Sequence, residues 1–162
     1  MCAAKTSDSL WWFFPALFIA AFGLNWLWEM LQVPAYEGMA GHPWREIALH
    51  CAGASLGDAA ITLGIYGVGA LAAGRLRWGM KPTWNVYVTA ALLGGACAAA
   101  IEWQALLSQR WTYSDRMVLV PVLGVGLWPF LQLVLLVPLS FAIAAWWAGS
   151  VQQGELDSPP SS

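Results

Sequence analysis

Apolar positions along this chain fall into four long blocks separated by short polar stretches. Leu10 to Leu31, Ile47 to Gly74 and Trp84 to Leu107 each hold the roughly 20 mostly apolar residues that a helix rising about 1.5 Å per residue needs to cross about 30 Å of hydrocarbon. The last run, Val118 to Gly149, is too long for one simple span. It is punctuated by Pro121, Gly124, Gly126, Pro129 and Pro138. It divides into a Pro/Gly-broken entry over Val118–Gly126, interfacial or partly re-entrant, and a fourth helix over about Leu127–Gly149. The pattern predicts an all-α, polytopic integral membrane bundle of four transmembrane helices. One domain is expected over 10–149, with disordered tails at 1–9 and 150–162. The first block is expected to remain as a span. It exceeds the roughly 7–15 apolar residues of a signal-peptide core, and Asn25 and Glu29 lie within it.

Composition narrows the class further. Hydrophobic residues make up 59% of the 162 and charged residues 10%, against about 45–50% and about 25% in soluble chains. A chain this short has too little interior to hide that much apolar surface from water. Seven Lys and Arg against nine Asp and Glu give a net charge of −2, so there is no basic footprint for nucleic acid. Of the twelve tryptophans, Trp11, Trp12, Trp78, Trp84, Trp146 and Trp147 fall at one set of span borders. Trp44 and Trp111 join Tyr36 and Tyr113 at the other, as in the aromatic belts of membrane proteins. Lys5 and the short loop carrying Arg75, Arg77 and Lys81 lie on one side. The positive-inside rule then predicts a bacterial inner-membrane protein with both termini in the cytoplasm.

Four ionisable residues interrupt the spans: Glu29 in the first, His50 and Asp58 in the second, and Glu102 in the third. A charged group at a span centre costs roughly 2.5–3.5 kcal/mol on insertion scales, and such groups face a bundle interior and mark function. Asp58 lies roughly 16 Å in from the start of its span. The other three sit nearer the border away from both termini, so all four share one half of the membrane or its middle. Asn25, Glu29 and Gln32 form a stripe at i, i+4 and i+7. Gly53 and Gly57, facing Gly94 or Gly95, would let the second and third helices approach closely. That approach is expected to bring Asp58 and Glu102 together. Glu46 is expected to pair with His50 one turn on, Arg110 is a candidate partner for Glu102, and Gln132, one turn from Trp128, is expected to close the site. The plain alternative is that Asn25, Thr62 and Gln132 are interhelical glue and that Glu29 is a solvated helix end.

Familiar catalytic motifs are missing. Two histidines, no Cys-x-x-Cys and no His-Glu-x-x-His spacing leave no recognisable metal site, and the sequence leaves any cofactor unknown. Gly53-Ala-Ser-Leu-Gly57 has the outline of a nucleophile elbow, but inside a helix rather than at a strand-to-helix turn. Carboxylates beside aromatic rings suit proton transfer on an apolar substrate. The expected function is therefore binding of, or acid–base chemistry on, a hydrophobic small molecule of the lipid or isoprenoid class. Asp58 and Glu102 are expected as the acid–base pair, supported by Glu29 and His50. Asn25, Trp28, Trp103, Arg110, Trp111, Tyr113, Trp128 and Gln132 are expected to contact the substrate. In the polar loop over Gln109–Arg116, the two arginines with Trp111 and Tyr113 could hold a lipid headgroup or phosphate at the membrane border, or form a charge-balanced loop with interfacial aromatics. Two other readings stay open: a proton-coupled transporter acting as an oligomer, and an accessory subunit of a larger membrane complex. The expected partners are the bilayer, the small molecule and, under those two readings, further copies or subunits.

Overall fold

In a computed structural model of the chain, residues 8–38, 41–81 and 83–157 are described. Among them, four helices are long and apolar enough to cross a membrane. They are α1 (Asp8–Gln32), α2 (Trp44–Ala72), α3 (Trp84–Leu107) and α4 (Leu127–Asp157). The chain is an integral membrane protein. The borders of α3 coincide with the third apolar block, whereas α2 begins at Trp44 and α4 runs past Gly149 to Asp157.

Local chemistry sets the helix ends. Pro34 has no N–H to extend α1, which tightens into a 3-10 turn over Val33–Ala35 before Tyr36 turns extended. Pro43 precedes α2, and Glu46 in the first turn suits the positive end of that helix's dipole. α2 and α3 end in the same way. Gly74 (φ 64) and Gln109 (φ 54) take the left-handed conformation. Beyond them, the N–H of Arg75 reaches Ala70 O (3.0 Å) and that of Arg110 reaches Ala105 O (2.9 Å), closing Schellman motifs. The Pro/Gly entry is neither a helix nor a loose loop. Val120 N–H donates to Val125 O (2.8 Å) and Leu127 N–H to Val118 O (2.7 Å), folding 118–126 into a small hairpin turned by Val122 and Gly124.

Helix α4 packs against both α1 and α3, and α2 packs chiefly against α1. This order departs from the expected pairing of the second and third helices. A Cβ on Gly94 would lie 2.5 Å from Leu133 O, and one on Gly95 would lie 3.1 Å from Val134. Both glycines therefore admit α4, while Gly53 and Gly57 have no neighbour within 4 Å of an added Cβ. Small residues mark a close approach without naming the partner helix.

The half of the bundle that holds the described start of α1 is filled with aromatic rings. Tyr66 packs tilted against Phe13 at 5.1 Å and edge-to-face against Phe141 at 5.5 Å and Trp78 at 6.2 Å, ring centroid to centroid. Its hydroxyl donates to Leu76 O at 2.6 Å. Trp78 is buried in this cluster instead of lying at a border as its loop position suggested, and Gly69 leaves the room its ring occupies. Elsewhere, tryptophan N–H groups tie elements together. Trp26 donates to Ala48 O (3.1 Å), joining α1 to α2, and Trp28 to Trp128 O (3.1 Å), joining α1 to α4. Trp103 donates to Leu123 O (2.8 Å), joining α3 to the hairpin.

Candidate functional site

The polar stripe of α1 is turned inward at the opposite half of the bundle, where Gln132 from the second turn of α4 meets it. Gln132 Nε2 lies 2.9 Å from Asn25 Oδ1, 3.1 Å from Glu29 Oε1 and 2.9 Å from Asp58 Oδ2. One amide nitrogen thus joins α1, α2 and α4. The orientation of the amides follows from backbone. Asn25 Nδ2 donates to Ala21 O (2.8 Å), which points Oδ1 at Gln132, and Gln132 Oε1 accepts from Gln32 Nε2 at 3.0 Å. Gln32 Oε1 is left buried without a donor. Asn25 and Gln132 are 0% and 2% exposed, whereas Glu29 and Asp58 at the edge of the hub are half-buried. The hydroxyls of Ser55, Thr62 and Ser140 are spent on carbonyls of their own helices. Among the described residues, no chain of side-chain hydrogen bonds leads from the hub into the aromatic half.

Glu102 belongs to a second cluster. Tyr113 donates its hydroxyl to Glu102 and accepts the N–H of Gly126 at 2.8 Å. Its loop is held against the end of α1, since Glu37 N–H reaches Thr112 O (2.9 Å) and Ser114 N–H reaches Ala35 O (3.0 Å). Tyr36 packs on the rings of Trp111 and Tyr113 at 6.1 and 5.9 Å. The Trp111 indole N–H is buried beside the Glu102 carboxyl without a hydrogen bond of good geometry. Burial first, and then the hydrogen bond to Glu102, push the Tyr113 phenol well above its ordinary range. Burial and the carboxylates of Glu102 and Glu29 do the same to Tyr36. Both stay protonated across the neutral range, and Tyr113 acts there as the donor to Glu102.

Asp58 and Glu102 consequently part company. Each has its own partners, and Glu29 is the carboxyl within electrostatic reach of both. The other expected ion pairs also resolve differently. Glu46 meets His42 at 3.3 Å, not His50. His50 is exposed, within electrostatic reach of Glu29 but without ionic contact. Arg110 lies over the Trp111 ring, 5.5 Å from its centroid, and not on Glu102. Among the described residues, no Lys, Arg or His nitrogen comes within 4.0 Å of Glu29, Asp58 or Glu102. Nor do any three His, Cys, Asp or Glu side chains converge closely enough to hold a metal ion. No family model, curated protein or solved structure matches the chain.

Beside the hub is a cleft of about 320 Å³, within the ordinary range for ligand pockets. Trp28 and Trp128, expected as substrate contacts, form its walls, and Arg116 and Gln32 join them. Trp103 is tied to the hairpin instead and is not part of this lining. Sequence patterning placed Gln32 on the α1 stripe but gave it no role. Arg116 was expected with Arg110 as a holder of a lipid headgroup or phosphate, and of the two only Arg116 lines this cleft.

Proposed function

We propose that this protein binds a hydrophobic small molecule, of the lipid or isoprenoid class, in the carboxylate half of the bundle, and transfers a proton to and from it. One observation carries the reading: Gln132 Nε2 has two hydrogens and faces three acceptor oxygens, while Gln32 Oε1 nearby has no donor at all. A single proton on Glu29 answers both. Nε2 then keeps its two 2.9 Å acceptors, Asn25 Oδ1 and Asp58 Oδ2, and Glu29, the neighbour of Gln32, supplies the missing O–H.

On this reading Glu29 is the acid and Asp58 the base, bridged by an amide that can strengthen its bond to either carboxyl as charge moves. The faces of Trp28 and Trp128 stabilise positive charge developing on the substrate. One proton is delivered and one is taken back, so the substrate leaves isomerised with its hydrogen count unchanged. Glu102 holds the loop through Tyr113 and supports the site from its edge. The buried aromatic cluster favours this reading over a proton relay across the membrane, because among the described residues the hydroxyls of Thr62, Tyr66 and Ser140 are bonded to backbone carbonyls and no chain of side-chain hydrogen bonds continues the hub into that half. The basic loop at Arg75, Arg77 and Lys81 supports a cytoplasmic position for the aromatic half in a bacterial inner membrane, with the hub toward the periplasm.

The test uses the full chain in neutral-detergent micelles. Native mass spectrometry is expected to find a retained lipophilic molecule, and incubation in D2O is expected to add deuterium to it in wild type but not in Asp58→Asn. Uptake of deuterium at the same rate in Asp58→Asn and in Glu29→Gln would sink the acid–base assignment.

A further inference from the structure

We infer that the cleft beside the hub takes an amphiphile with a single apolar chain and an anionic head, phosphate or carboxylate, seated on Arg116. The inference rests on the acid–base reading above and names its ligand class.

Three features of the cleft carry it. The walls are apolar, with Trp28, Trp128, Leu31 and Pro34 around about 320 Å³ of space. That shape and surface suit a length of hydrocarbon chain and give a phosphate or an inorganic ion alone little to bind. Arg116 is the one cation in the lining. Among the described residues it has no carboxylate within 4.0 Å, although Asp115 precedes it in the chain. The other arginine of this loop is already placed over the Trp111 ring, so Arg116 is the guanidinium left to receive an anion, with the planar fork that suits phosphate or carboxylate. Position supplies the third argument. Arg116 lies outside the spans, in the loop between α3 and α4 that is held against the end of α1, while Trp28 and Trp128 lie within the spans. A head at the border with its chain directed inward is how an amphiphile already sits in a bilayer, so it enters without turning over. Gln32 lines the cleft and is bonded to Gln132, so one side chain separates such a ligand from the amide that faces Glu29 and Asp58.

The experiment measures equilibrium binding of labelled decyl phosphate to the full chain in neutral-detergent micelles. Saturable binding of one probe per chain is expected. Arg116→Gln weakens it by about ten- to a hundred-fold, the size of one lost charge-assisted hydrogen bond, and Arg116→Lys restores part of it. Decanoate and decyl phosphate compete with each other, and the stronger of the two identifies the natural head. Decyltrimethylammonium and inorganic phosphate do not compete. Arg116 is exposed in a loop, so these variants keep the fold. Equal binding by Arg116→Gln, or equal competition by the cationic probe or by inorganic phosphate, overturns the inference. If that happens while deuterium uptake still depends on Asp58, the cleft assignment falls alone. If Asp58→Asn and Glu29→Gln leave uptake intact while Arg116→Gln loses the probe, the cleft stands and the acid–base pair falls.

Discussion

Gln132 of α4 donates to Asp58 of α2 across 2.9 Å, although these two helices otherwise barely meet. The bond spans the interior of the bundle, and the same nitrogen also faces Asn25 and Glu29 of α1. A residue in this position influences both the assembly of the helices and the state of the carboxyls.

Replacing it separates those roles. Gln132→Leu leaves Asn25 Oδ1, Asp58 Oδ2 and Gln32 Nε2 without their partner inside the bundle. Each stranded polar group costs about 1–3 kcal/mol, reduced where another partner is found within the membrane. A clear fall in Tm in detergent is expected. Asp58→Asn keeps the shape and much of the hydrogen bonding, so its Tm is expected to stay near that of wild type while deuterium uptake by the bound molecule is lost. If Gln132→Leu melts with wild type, the hub does not hold the bundle together.

The glycines of α2 and α3 give opposite expectations. Gly94→Ala drives a methyl group to 2.5 Å from Leu133 O, a backbone atom that cannot swing aside. Overpacking of this kind costs about 1–3 kcal/mol, and α3 and α4 must separate to relieve it. Gly53→Ala and Gly57→Ala meet nothing within 4 Å and gain roughly 0.5–1 kcal/mol of helix preference. Thermal unfolding of the three variants in one detergent checks the contrast. Destabilisation by Gly57→Ala as large as by Gly94→Ala would mean that α2 and α3 meet through their glycines after all.

That contrast also shows what the sequence carried and what it did not. Apolar block length specifies spans, because the bilayer sets one thickness for every helix, so the four helices were legible. The 3.6-residue period likewise put Asn25, Glu29 and Gln32 on one face, and that face is the one that meets Gln132. The order of helices around the bundle has no such local signature. Gly53-x-x-x-Gly57 and Gly94-Gly95 looked like two halves of one contact, yet the second pair admits α4 and the first admits nothing. From that single misplacement followed the expected closeness of Asp58 and Glu102. Short-range pairs were equally ambiguous: Glu46 has a histidine four residues away on either side, and helix geometry alone does not choose His42 over His50. The burial of Trp78 depends on room left by Gly69 of α2 and a ring from α4, information spread over three segments.

The loop cluster around Tyr113 makes a prediction about alkaline pH. The Tyr113 and Tyr36 phenols are held above the ordinary value of 10.0, by burial first in both cases. A group whose folded-state pKa is raised gives full stability below its unfolded value and loses it as pH climbs toward the folded one. Below about pH 10 both phenols are protonated whether the chain is folded or not, and they give stability no pH dependence there. Above it the unfolded chain releases these protons and the folded chain does not, so folding weakens steadily as pH rises. Tyr113→Phe removes its share of that slope. It also strands the Gly126 N–H and the Glu102 carboxyl, at about 1–3 kcal/mol for each buried group left unpaired. The variant is therefore expected to have the lower Tm at pH 8 and the shallower decline between pH 10 and 12. Faster amide exchange is expected at the Gly126 end of the 118–126 hairpin, which has lost its link through Tyr113 to Glu102 and keeps only the Trp103 bond to α3. Parallel Tm curves for wild type and Tyr113→Phe across that range would show that the phenol ionises as freely in the folded protein as in the unfolded chain.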